Sequence, residues 1–167
     1  MAMPANRPGI SIKLSALHPR LEISQRQRVL QEVLPKVITL CDQAMQANIG
    51  VTFDAEESSK LDLQLDIFEA VFKHSKFADW AGLGLAVQAY QKRALAVIDW
   101  LIELARSQEK IIMLRLVKGA YWDSEIKLAQ TEGLAGFPVF TRKAESDVSY
   151  ILCAKKLLGM GARIYPQ

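Results

Sequence analysis

Short apolar runs alternate with longer amphipathic stretches along this chain, and that alternation constrains its fold more than any other feature. Ile10-Ser11-Ile12-Lys13-Leu14, Gly50-Val51-Thr52-Phe53-Asp54, Leu83 to Ala89 and Ile111 to Val117 are rich in β-branched and large apolar residues, as strands are. The stretches between them carry apolar residues at helical spacing. Residues 24–48 place Val29, Val33, Val37 and Cys41 on one stripe; Leu61, Leu65, Phe68, Val71 and Phe72 follow Ser58 and Ser59, either of which can cap a helix; residues 93–107 carry Ala94, Val97, Ile98, Leu101 and Leu104. Pro35 predicts a kink or break in the first helix, and Asn48-Ile49-Gly50 predicts its left-handed close. A short helix is expected over 122–130, a loop at Gly133, Gly136 and Pro138, a helix over 147–158 and a fifth strand over 162–167. Residues 1–8, with Pro4 and Pro8, read as a disordered lead, leaving 9–167 as the folded part. Four βα units and a final β define an α/β chain with a parallel sheet and helical crossovers. An open doubly wound sheet and part of a (β/α)8 barrel both satisfy that order, and the absence of GxGxxG after a strand weighs against a dinucleotide-binding open sheet.

Composition enters only by exclusion. The 167 residues suit one domain, and a net charge of 21 − 18 = +3 without single-sign blocks argues against a nucleic-acid partner. Cys41 and Cys153 lie in apolar helical patterns with no metal-ligand or redox spacing, so buried free thiols are expected. No signal-peptide pattern opens the sequence and no apolar run approaches the ~18 residues of a membrane helix. A soluble, cytoplasmic protein is expected.

Polar groups cluster where each strand ends. The first end offers Lys13, the second Asp54, Glu56 and Glu57, the third Gln88 and Tyr90, the fourth Arg115, Lys118 and Tyr121. Parallel α/β folds hold their active sites at this edge. Each cluster has a bland reading: a strand-end lysine is often solvated, and acidic residues at a helix start often complement its dipole. Four clusters on one edge together suggest a site. Its cations suit a carboxylate-bearing substrate or an electron-rich cofactor ring. No nucleophilic serine or cysteine neighbours a histidine, and no metal is expected. A Schiff-base lyase using Lys13 or Lys118 is a competing reading.

The run Arg115-Leu116-Val117-Lys118-Gly119-Ala120-Tyr121-Trp122, continuing DSEIK to Lys127, is the most specific motif. Together with ISIKLSALHPR (10–20), TFDAEE (52–57), VQAYQKR (87–93), TRK-x3-DVSY (141–150) and IYPQ (164–167), it resembles the proline dehydrogenase domain of the bifunctional bacterial proline-utilization flavoenzymes. The resemblance runs from about residue 9 to residue 167. It implies the central part of a distorted (β/α)8 barrel, with about five of its strands present and both ends incomplete. It also implies FAD, oxidation of L-proline to Δ1-pyrroline-5-carboxylate by hydride transfer to flavin N5, a quinone acceptor, and a cytoplasmic protein peripheral to the inner membrane. By resemblance Lys13, Asp54, Arg115 and Tyr121 are catalytic. Asp54 and Ala55 lie under the flavin, Gln88 bonds its ring edge, and Arg115 sits near N5. Val117, Lys118, Gly119 and Ala120 line it, and Trp122 packs nearby. The arginine pair that clamps the substrate carboxylate in the family has no counterpart in the sequence, so this chain alone is expected to bind proline poorly and FAD weakly or not at all. An inactive barrel fragment, at most a scaffold, is the alternative. A partial barrel also implies self-association through its open edges.

Overall fold

The computed structural model describes residues 8–160 and 163–167. The proposed lead falls almost wholly outside these residues, as do Gly161 and Ala162 at the expected start of the fifth strand. The elements are β1 (Ile10–Ile12), α1 (Arg26–Gln46), β2 (Val51–Phe53), α2 (Leu61–Phe72), β3 (Leu83–Gln88), α3 (Ala94–Ser107), β4 (Ile112–Val117), α4 (Trp122–Thr131), α5 (Lys143–Leu158) and β5 (Ile164–Pro166). The five strands are all parallel and lie in chain order, β1-β2-β3-β4-β5. A doubly wound sheet reverses its strand order at a switch point, and this sheet does not. The order is that of a partial (β/α)8 barrel.

Strand parity separates two interiors. Val51, Phe53, Leu83, Leu85, Ile112, Leu114 and Ile164 join the helices in one core. Register pairs Ser11 with Thr52, Thr52 with Gly84 and Gly84 with Met113, so these residues share the opposite, barrel-facing side. Ala86, Gln88 and Arg115 continue that side toward the carboxyl edge. The helices present narrow stripes to the sheet: Val29, Val33, Val37 and Cys41 recur every four residues on α1, and each is fully buried. Each such side chain contributes roughly 1.5–3 kcal/mol of burial.

Local details depart from the sequence pattern for physical reasons. α1 runs through Pro35 without a break. Pro35 and Gln31 are both exposed, so the carbonyl that loses its helical partner can take water instead. Asn48 adopts the left-handed conformation (φ 54°) but Gly50 does not; a side chain at Gly50 would instead meet the Met113 methyl at 2.6 Å. α5 begins a turn earlier than expected, at Lys143, supported by the Lys143–Asp147 pair at 2.7 Å. β1 and β2 are only three residues long, because Lys13 and Asp54 leave the ladder as the chain turns away.

Candidate active site

The three charged residues expected to be catalytic meet at the carboxyl edge of the sheet. Asp54, just past β2, is the hub. One of its oxygens accepts a hydrogen bond from the Arg115 guanidinium, and the other accepts from Lys13 Nζ at 3.4 Å. A second Arg115 nitrogen donates to Ser11 Oγ at 3.0 Å, reaching across the barrel side from β4 to β1. This is the consequence of parity: residues 11, 52, 84 and 113 are paired neighbours, so residue 115 projects from the same face two positions nearer the edge. The hydrogen bond to Asp54, then the nearby Tyr121, raise Lys13 above its ordinary range. A Schiff-base lysine needs the reverse, a lowered pKa and a free amine. Lys118, the other lysine of that reading, is tied to Asp147 at 2.5 Å.

The strand-end loops are cross-tied by buried polar groups. Gln88 is 4% exposed, and its amide is engaged at both ends. Its Nε2 donates to the Glu56 carbonyl at 2.8 Å, and its Oε1 accepts from the Ala120 N–H at 3.0 Å. Glu56 accepts from the Ser15 N–H at 3.0 Å, binding the first loop to the second. Ser58 does not cap α2, contrary to expectation. A capping serine oxygen accepts from a helix N–H; here the hydroxyl and the backbone N–H of Ser58 instead both donate to the buried Glu125 carboxylate at 2.5 Å, as charge-assisted hydrogen bonds.

The fourth strand end turns outward after Val117. The carbonyls of Val117 and Lys118 accept from the N–H groups of Ala89 and Tyr90, both at 2.8 Å, which fixes the turn against β3. Gly119 has φ +141°, and a Cβ there would lie 2.5 Å from the Tyr90 ring. The Tyr90 hydroxyl is buried and has no hydrogen-bond partner among the described residues. Burial, then the Glu125 charge, push its pKa up. Trp122 is 41% exposed and donates from Nε1 to the Phe140 carbonyl at 2.9 Å. Ala55 lies half-buried between Asp54 and Glu56.

Beside this turn is a cavity of about 450 Å³, lined by residues including Lys118, Gly119, Trp122, Thr141, Lys143 and Asp147. Lys118 and Lys143 converge on Asp147 at 2.5 and 2.7 Å and hold its carboxyl below its usual range. Thr141, Lys143 and Asp147 carry no role in the sequence reading, although the TRK-x3-D spacing marks them. Asp54, Glu56 and Glu57 do not converge: Asp54 turns to Arg115 and Lys13, and Glu57 binds Lys60 at 2.7 Å. No group of three His, Cys, Asp or Glu that could hold a metal ion occurs among the described residues. No helix among them is long and apolar enough to cross a membrane.

The fold is a partial (β/α)8 barrel with charged and aromatic residues at its strand ends, and sequence comparison assigns its family. The proline dehydrogenase family model matches residues 2–167. The bifunctional protein PutA of Escherichia coli K12 is 54% identical over 160 residues, covering 96% of this chain and 12% of that protein. A mutant of proline utilization A from Bradyrhizobium japonicum superposes with a TM-score of 0.97 at 52% identity, covering 99% of this chain and 17% of that one. Proline utilization A from Bdellovibrio bacteriovorus superposes at 0.93 with 31% identity, with the same coverage. The chain belongs to the proline dehydrogenase family and is similar to the central region of PutA flavoenzymes, spanning about an eighth of the length of the curated relatives it matches.

Proposed function

We propose that this chain carries the strand-end half of a proline dehydrogenase site, serving FAD-dependent oxidation of L-proline to Δ1-pyrroline-5-carboxylate. The observation that carries the reading is the Lys13–Asp54–Arg115 cluster at the carboxyl edge of a parallel sheet, in a chain of this family. The residues fit the cofactor. A dinucleotide needs cations and hydroxyls for its diphosphate, and flat or bare surface for its rings. The 450 Å³ cavity offers Lys118, Lys143, Thr141, Trp122 and the side-chain-free Gly119. When bound, the flavin supplies the two-electron acceptor.

The chain's own residues do the rest. Arg115 keeps a permanent positive charge near the reacting edge, where electron density accumulates during reduction. Asp54 holds Arg115 and Lys13 in one geometry. Lys13 stays protonated and offers its ammonium to the substrate carboxylate. Gln88 fixes the Ala120 N–H and leaves only the remaining capacity of its amide for the flavin ring edge. Val117, Lys118, Gly119 and Ala120 would hold the cofactor through their backbone, with Asp54, Ala55, Tyr121 and Trp122 as its further contacts. A quinone acceptor and peripheral attachment to the inner membrane belong to the same reading.

The test is the visible spectrum of purified chain incubated with FAD, desalted, then given L-proline anaerobically. A retained flavin spectrum that bleaches with proline supports the reading; retention without bleaching limits the chain to binding, and no retention refutes FAD binding by this chain. A second reading is self-association, favoured by the exposed α5 residues Val148, Ile151, Leu152 and Leu158 beside strand β5, which has one sheet neighbour. Sedimentation velocity across a concentration series tests it, and a concentration-independent monomer refutes it.

A further inference from the structure

Glu125 is a buried carboxylate outside the charge cluster described above. It is 2% exposed, and no lysine, arginine or histidine pairs with it among the described residues. Leaving a carboxylate unpaired in a core is costly unless its oxygens are strongly hydrogen-bonded. Both are: Oε1 accepts the Ser58 N–H and Oε2 accepts the Ser58 Oγ–H, each at 2.5 Å. The nearby Tyr90 hydroxyl is buried, unpartnered and in the field of this same carboxylate. Among the described residues the phenol has no partner, while Glu125 gives both oxygens to one serine.

The two ends of that bridge explain the choice. Ser58 lies four residues beyond Asp54, in the loop after β2. Glu125 lies four residues beyond Tyr121, on the first turn of α4. The bridge joins the loop that holds Asp54 to the helix that carries Tyr121 and Trp122. Ser58 is itself steadied from the far side, its carbonyl accepting from Arg93 at 2.6 Å, with Arg93 also bound to Asp62 at 2.8 Å. Gln88 spans the same gap independently, through the Glu56 carbonyl and the Ala120 N–H. An apolar pair of equal volume would fill the gap but would leave the Ser58 N–H without this acceptor, and it would not fix the spacing of the two loops along two hydrogen-bond vectors.

We propose that Glu125 is a positioning residue: through Ser58 it sets the Asp54 loop against the Tyr121–Trp122 turn, and so pre-organises Lys13 and Asp54 for an anionic substrate. The proposal rests on the proline dehydrogenase reading for what the site does, but not for whether the site is pre-organised. Glutamine can replace the carboxylate, because its carbonyl accepts the Ser58 N–H while its NH2 donates to a rotated Ser58 hydroxyl. Alanine can do neither.

The test uses the whole chain as Glu125→Gln, Glu125→Ala and Ser58→Ala. The first readout needs no cofactor: the Lys13 ammonium, assigned by Lys13→Arg, is titrated by NMR after 13C reductive methylation. Its pKa is raised by Asp54 and Tyr121. Glu125→Gln should keep the raised midpoint, and Glu125→Ala should return it to the ordinary lysine range, with Ser58→Ala between. The second readout is FAD affinity, expected to fall at least tenfold in Glu125→Ala and less than threefold in Glu125→Gln. A Lys13 midpoint unchanged in a folded Glu125→Ala variant overturns the proposal and leaves Glu125 a packing group. If Glu125→Ala does not fold, the Ser58→Ala and Glu125→Gln midpoints decide: equal midpoints refute the proposal. Failure of the wild-type chain to bind FAD refutes the functional reading alone, since the lysine titration stands without it.

Discussion

Gly119→Ala isolates the contact that shapes the fourth strand end. Two costs add at this position. The first is conformational: φ +141° is a region that residues with a Cβ rarely enter, at about 1–3 kcal/mol. The second is steric. The new methyl would lie 2.5–2.6 Å from Cγ, Cδ1 and Cδ2 of Tyr90, over the ring rather than at its rim. That ring cannot swing away cheaply. Tyr90 is 3% exposed, its N–H is bound to the Lys118 carbonyl at 2.8 Å, and its carbonyl accepts from Phe140 at 2.8 Å. Overpacking of this kind costs about 1–3 kcal/mol, so the total should be about 2–6 kcal/mol. Urea unfolding followed by circular dichroism and tryptophan fluorescence measures it, with coincident transitions required. Repeating the substitution in a Tyr90→Ala background removes the ring and should leave only the conformational part. Both backgrounds need the same concentration of a stabilising osmolyte, because Tyr90→Ala is itself costly. The coupling energy should be about 1–3 kcal/mol. A total below about 1 kcal/mol, or equal costs in the two backgrounds, would refute the reasoning.

Four further outcomes follow from the same geometry. Tyr90→Phe removes a buried hydroxyl that has no partner among the described residues and should leave unfolding free energy unchanged or raise it by about 1 kcal/mol; a comparable loss would reveal a partner for the phenol. Leu114→Ala, at a site 2% exposed in the sheet–helix core, should cost about 2–5 kcal/mol by urea unfolding, and a cost under 1 would contradict the packing. Arg115→Met should weaken flavin binding or slow flavin reduction while changing stability little, since the guanidinium is one-third exposed; equal kinetics would remove Arg115 from the site. Burial pushes the Cys41 thiol from 9.0 up to about 12. A raised folded-state value means stability that is whole below pH 9 and lost as pH rises toward 12, by roughly 3 kcal/mol at pH 11. Cys41→Ala should flatten the wild-type decline between pH 9 and 11, and parallel declines would assign it to other groups.

How much of this was readable beforehand depended on whether the governing interaction was local. The α1 stripe of Val29, Val33, Val37 and Cys41 was visible because helical spacing is set by backbone geometry within one segment. The same holds for the strands and for the left-handed Asn48. Pro35 does not break α1, because the effect of a proline depends on which face it occupies, and this one lies on the exposed face. Ser58 misled because a helix-cap pattern is indistinguishable in sequence from a hydroxyl that finds a carboxylate 67 residues away.

The sequence by itself determined the α/β class, the position of the strand ends, the family, and which charged residues stand at the edge. Period and motif are properties of neighbouring residues, and they survive without any knowledge of tertiary contacts. The tertiary structure alone decided that the strands lie in unbroken chain order, that Asp54 binds both Lys13 and Arg115, and that Gln88 and Glu125 tie the loops together. Most buried polar groups find partners wherever the fold brings them, and the Thr52–Gln167 hydrogen bond, 2.7 Å long across 115 residues, shows how little sequence distance limits that search.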